Sequence, residues 1–446
     1  MEENKLDQQT QNGDTPMFKN NNAGEDYDPY LHRNIPNATS NYQTLIHLLK
    51  GTLGTGIMAM PYAFSKAGYV SGLMSTVFLT LMTTNCFLML TNNQYILCKR
   101  HRRPTLSYPM LMKMSLEEGP SFLRCLSKIA IPFVDGFLIG NQCGICCVYV
   151  VFTAENIGEI LNEACGVYWN VKIYVAILLL PLMLLMCVRN LKHLTPFSLI
   201  SNCITFVGVA MLFYYFFEDG IAGPSERKAI NSIENFPLYF GTILFAINSF
   251  ALVIAVENNM KTPKSFNMIM SIAMGAICVL YAAFGFVGYL RYGESCKGSV
   301  TLNPDQTETL AKCIRGIFAL AIFISYGLQG YVPVSIVWGT YLSKVWDNPD
   351  NKIYYEFAVR ISFVLITCGV AAAIPFIGLF INLIGAFSIS MLGIICPALM
   401  EICVLYKDKL SNLILAKDIL LIAIGVVGLV FGTFTSVREI IDMYNK

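Results

Sequence analysis

The fold this sequence predicts is an all-α polytopic membrane protein: eleven transmembrane helices in a five-plus-five inverted repeat, with the first and sixth helices broken. Three observations carry that expectation. The 446-residue chain is 55% hydrophobic and only 13% charged, with mean hydropathy +0.55, whereas soluble domains run nearer about 25% charged. Eleven apolar runs approach bilayer-crossing length, about 20 residues at 1.5 Å rise. Two of them, at corresponding places in two halves, carry interruptions in mid-membrane, the best sequence pointer to a secondary transporter's binding site.

Residues 1–40 are rich in Asn, Gln and Asp, with Pro16, Pro29 and Pro36 and few large apolar side chains. They are expected to form a disordered cytosolic tail, and they lack the regions of a secretory signal peptide. Asn37-Ala38-Thr39 matches a glycosylation sequon, expected to stay unused in the cytosol. The first span then covers 44–68, TLIHLLKGTLGTGIMAMPYAFSKAG. Gly51, Gly54, Gly56 and Pro61 fall together there, and a helix broken at its middle is expected. Backbone freed at that depth must be surrounded by protein or a water-filled cavity. One reading makes the glycines packing notches for a neighbouring helix. The other makes the break a binding site, whose half-helix ends present free N–H and C=O groups to a small dipolar or charged substrate.

Further spans lie near 70–95, 129–155, 172–188, 195–217, 236–257, 267–290, 313–342, 354–375, 377–404 and 413–435. Spans one to five make a first repeat over 41–220 and spans six to ten a second over 230–405, leaving span eleven and the C-terminus at 410–446. The loop after span two carries Lys99, Arg100, Arg102, Arg103, Lys113, Arg124 and Lys128, and further Lys/Arg fall on the same side. By the positive-inside rule the N-terminus is cytosolic. The sixth span, FPLYFGTILFAINSFALVIAVENN, carries Asn248-Ser249 in mid-membrane, a candidate functional site by default, with an interhelical hydrogen bond as the alternative.

Other chemistry is excluded by what the chain lacks. No basic run is interleaved with aromatics, so nucleic acid is no partner. Most of the fifteen Cys lie in apolar runs, and no zinc-type spacing or Ser-His-Asp set can be assembled from them and the four His. The chain is expected to be no enzyme and to hold no cofactor or metal. His47 is the only His within a span. With a reference pKa near about 6.5 it suits proton coupling, although a non-titrating His hydrogen-bonded to a neighbouring helix fits too. Asp135 and Glu155 in span three are further carboxyl candidates.

QTLIHLLKG followed by GTGIMAMPYAFSKAG, residues 43–68, resembles the first span of the proton-assisted amino acid transporters, in the amino acid/auxin permease branch of the amino acid–polyamine transporter fold. VDGFLIGNQCGICCVYVVFTAEN, RNLKHLTPFSLISN, PLYFGTILFA with VENNMKTPKSF, GSVTLNPD and YGLQGYVPVSI extend the likeness over nearly everything after residue 40, and an insect-type member is expected on general similarity alone. The resemblance implies symport of small neutral amino acids with protons, a plasma-membrane or endolysosomal address, and in some members a link to growth-control signalling. It gives His47 the position of a proton-coupling histidine, and it implies a disulfide between two outer loops. Here Cys165 and Cys296 fall in those loops off the family's positions, with Cys313 a competing partner.

In one respect the chain departs from the pattern. Where the family usually has Phe-x-Phe-Glu-Gly-Ile-Gly in the sixth span, this chain has Phe245-Ala246-Ile247-Asn248-Ser249-Phe250-Ala251. A carboxylate has become an amide and two Gly have become Ser and Ala, so altered selectivity, weakened coupling or no transport is expected. The substrate carboxylate is expected at Gly54, Thr55 and Gly56, and its amine at carbonyls near Thr52 and the sixth-span break at Asn248 and Ser249. Phe250, Tyr149 and Tyr326 are candidate pocket walls, each also readable as ordinary packing. A different class of function, an amino acid sensor signalling through its tail without net flux, remains an alternative.

Overall fold

The computed structural model describes residues 27–446 apart from 34, 36–37, 167, 190, 219, 221, 306–307, 344–350, 409 and 446. The sequon's Asn37 and the tail to residue 26 lie outside the described residues. The described chain is nearly all helix, and no strand beyond a single isolated bridge occurs among its described residues. In order, the helices are α1 (Asn41–Thr52), α2 (Met60–Ala67), α3 (Tyr69–Arg100), α4 (Tyr108–Glu118), α5 (Ser127–Cys165), α6 (Val171–Met186), α7 (Leu191–Glu218) and α8 (Phe236–Ala246). There follow α9 (Phe250–Asn258), α10 (Phe266–Tyr292), α11 (Thr309–Ile336), α12 (Lys352–Ala373), α13 (Ile377–Ile384), α14 (Cys396–Leu405) and α15 (Asn412–Tyr444).

Nine helical stretches among the described residues are long and apolar enough to cross a membrane. The 16-residue α6 and the α1–α2 pair, of 12 and 8 residues, are individually too short for that length. One stretch, Ile377–Asp408, runs through α13, the wide π-helical turns of Gly385–Ile395 and α14. The protein is a multi-pass membrane protein.

The first span breaks where its glycines and proline stand. Ser40 caps α1, with Gln43 completing the capping box. Helix α1 ends at Thr52, Leu53 and Gly54 are extended, and Thr55–Ala59 form a tight 3-10 turn before α2. Pro61 sits in the first turn of α2, where its missing N–H costs nothing. Gly68 then turns the chain into α3 at φ 91°, the left-handed region in which a side chain is strained. The stretch Ile233–Asn258 breaks likewise: α8 ends at Ala246, Ile247–Ser249 leave the helix, and α9 starts at Phe250. Each half-helix packs on a half of the other break, α1 on α9 and α2 on α8.

The expectation of a disordered tail through residue 40 does not hold for the described residues 27–33 and 38–40. Asp28 caps a short helical turn over Pro29–His32. Arg33 then reaches into the bundle, donating to both carboxylate oxygens of Glu257 at 3.0 and 3.1 Å and to the carbonyls of Glu257 and Pro104, each at 3.1 Å. Both side chains of the pair are 2% exposed. Thr39 pairs with the backbone of Asn259 and Lys261, and Tyr30 packs on Tyr95. Composition had counted apolar area, of which this segment has little. What orders it is a buried ion pair whose hydrogen bonds offset desolvation.

Candidate functional site

The two breaks meet. The Thr52 hydroxyl, at the last residue of α1, lies 2.5 Å from the Ser249 hydroxyl just before α9, and also donates to the Leu48 carbonyl at 2.9 Å. One further hydroxyl spans both helix ends: Tyr281 of α10 donates to the carbonyls of Thr52 at 2.8 Å and Ala246 at 3.2 Å. These are the terminal carbonyls of α1 and α8, groups that a broken helix leaves without an intrahelical partner. Beyond Thr52 the backbones nearly touch, since a Cβ on Gly56 would stand 2.5 Å from the Ala246 Cα. No other residue fits at Gly56 without moving α8.

Donors remain open on the other side of the break. The N–H groups of Gly54 and Thr55 bond to no described residue, and the Thr55 hydroxyl is buried without a partner. They stand ahead of the 3-10 turn and α2, where a helix start favours an anionic group. Tyr149 of α5 faces them, its hydroxyl 3.4 Å from where a Cβ on Gly54 would stand. That hydroxyl also meets Gln329 of α11, whose side-chain oxygen accepts from Gln142 at 2.7 Å. Asn248 is half-buried, and its amide makes no side-chain hydrogen bond to any described residue. Open N–H donors at a helix start are chemically suited to an anionic group such as a carboxylate.

The structure thus brings together Thr52, Gly54, Thr55, Gly56, Asn248, Ser249 and Tyr149. Other expected residues have different surroundings. Phe250 is buried edge-on against Tyr108 of α4, with ring centroids 6.3 Å apart. Tyr326 spends its hydroxyl on Thr367 of α12 at 2.7 Å. The Thr52 carbonyl, expected to read the amine, is already taken by Tyr281. His47 is exposed on α1 and bonds to no described residue, because the buried face of that helix is Thr44, Leu48 and Thr52. Asp135 is buried near the start of α5 and accepts from Tyr341 at 2.7 Å. The side chain of Cys165 lies outside the described residues; Cys296 is a buried thiol facing the Gly288 carbonyl, and burial pushes it up to about 12.

Sequence reasoning missed Tyr281, Gln142 and Gln329. Their only signal was a polar tip in mid-span, which in lipid must find a partner.

Comparison with known proteins places the chain in a family. The family described as "Transmembrane amino acid transporter protein" matches residues 37–438. The chain belongs to that family. It is 33% identical over 429 residues to the "Proton-coupled amino acid transporter-like protein pathetic" of Drosophila melanogaster, covering 95% of this chain and 90% of the relative. It is 25% identical over 420 residues to "Amino acid transporter AVT3A" of Arabidopsis thaliana, covering 90% of each. Membership in this family of transporters, not enzymes, supports amino acid transport as the general activity.

Proposed function

We propose that this protein is a secondary active transporter of small neutral amino acids, coupled to protons and working by alternating access around the two broken helices. Counting α6 and the α1–α2 pair with the nine longer stretches gives eleven spans, read as two inverted repeats of five plus a last helix, with the N-terminus cytosolic in the plasma membrane or an endolysosomal membrane. The observation that carries the reading is the facing of the two breaks: open donors at Gly54 and Thr55 lie beside Tyr149, while Tyr281 and the Thr52–Ser249 contact tie the opposite helix ends. A small substrate fits this arrangement because the free groups are backbone, set close by Gly56 against Ala246. A fly relative named as proton-coupled supports coupling to protons.

A second reading, a sensor with the transporter fold and a signalling partner on its tail, is favoured by two observations. The sixth-span break has the neutral Asn248, and the N-terminal segment is clipped to the end of α9 by the Arg33–Glu257 pair. The deciding experiment is uptake of labelled alanine, glycine and proline into proteoliposomes, with and without an inward proton gradient, beside Asn248→Glu. Gradient-stimulated uptake by the parent is the expected result. Uptake only in Asn248→Glu, with substrate binding in the parent, would establish the sensor.

A further inference from the structure

At the end of the bundle opposite the N-terminal segment, a cavity of about 520 Å³ opens among α2, α5, α6, the loop after α10 and α15. Glu155 of α5 lines it, six residues and roughly 9 Å along the helix from Tyr149 at the break. Its side chain is half-buried, and no described residue hydrogen-bonds or ion-pairs with its carboxylate. The titratable groups around it are Glu159 on its own helix, Lys66 and Tyr62 of α2, Tyr174 of α6, Cys296 and Lys297 of the loop after α10, and Glu439 of α15; the start of α13, which also borders it, supplies none. Lys66 is drawn over the Tyr62 ring, 5.1 Å from its centroid, and makes no ion pair with a described residue.

We infer that Glu155 is the proton-binding group of this transporter, standing in for the carboxylate that the sixth-span break lacks. The inference rests on the proposed transport reading and its orientation, in which this cavity faces the outer solution. While the cavity is open, water reaches Glu155 and its charge is tolerated. Closing α2 and α15 over it removes that water, and leaves a carboxylate that has the like-charged Glu159 beside it and Lys297 nearby but in no ion pair with it, a costly arrangement. A proton taken from the outer solution onto a Glu155 oxygen removes the cost, so protonation favours the closed outer face. A ligand shifts such an equilibrium only by its differential affinity for the two states, and the change in hydration of Glu155 between open and closed supplies that difference. The proton leaves the Glu155 oxygen for the inner side while the outer face is closed, and the carboxylate so restored favours reopening, where water reaches it again.

The test combines transport with an infrared readout that does not need transport. In lipid-reconstituted parent protein, acidifying the medium is expected to raise the carbonyl stretch of a protonated carboxyl group; Glu155→Gln removes that band, and Glu155→Asp and Glu159→Gln retain one. In proteoliposomes, Glu155→Gln is expected to keep exchange at equal pH while its gradient-stimulated uptake falls at least tenfold, with Glu155→Asp restoring part of it. Loss of the band in Glu155→Gln from a parent that moves no amino acid would uphold the proton site and overturn the transport reading alone. An undiminished band in Glu155→Gln, or full gradient stimulation in that variant, overturns the inference.

Discussion

The two breaks solve one problem with opposite materials. At the first, the chain removes side chains: Gly54 and Gly56 leave backbone exposed, with the N–H groups of Gly54 and Thr55 open, and the carbonyl end is tied by Tyr281 from another helix. At the second, the chain adds them: Asn248 and Ser249 occupy the gap, and Ser249 closes onto Thr52. A site made of backbone tolerates many small substrates, because every amino acid carries the same carboxylate and amine. A site made of side chains selects among them. On the proposed transport reading, the comparison assigns binding to the first break, and to the second the choice of substrate and the hold between the halves.

That division can be broken experimentally. The largest effect is expected from Gly56→Val, whose side chain must displace the Ala246 backbone; substrate binding should fall more than tenfold, read by binding and uptake on protein that remains monodisperse. If the variant binds normally, the first break is not the binding element. Next comes the tether of the second break. Arg33→Ala leaves Glu257 charged and buried, a loss of about 3–5 kcal/mol, seen as a lower melting temperature in detergent; Arg33→Met with Glu257→Leu should recover most of it.

Tyr281→Phe tests whether the two breaks share one fastening. It strips a donor from two buried carbonyls at once, at a cost of about 1–3 kcal/mol, and the melting temperature should fall without loss of secondary structure by circular dichroism. The smallest effect concerns the direct contact. In a double-mutant cycle of Thr52→Val and Ser249→Ala, a coupling of about 0.5–1.5 kcal/mol is expected; additivity would mean that the hydroxyls do not hold the breaks together.

The first break was legible because its cause is local: three glycines and a proline cannot sustain a helix wherever the rest of the chain lies. The facing of the breaks was legible only through the positional correspondence of Asn248-Ser249. Tyr281 was not, because one Tyr in an apolar run says nothing about which distant carbonyl it meets. His47 was read from its residue type, although the phase of Thr44, Leu48 and Thr52 already marks a different face of α1 as the buried one. The ordered stretch of residues 27–33 and 38–40 escaped for the same reason as Tyr281. Its partner is remote in the chain, and local composition has no means of recording it.

The Arg33–Glu257 pair also bears on how the protein is made. Its partners are 224 residues apart, and chains are synthesised at roughly 5–20 residues per second. Arg33 therefore waits about 10–45 s after it is made before Glu257 exists to receive it. During that interval α1 leaves the ribosome without the helix it packs against, its broken backbone unsupported. The helices from α1 to α7 precede α9 into the bilayer, and the N-terminal clasp closes only when α9 arrives.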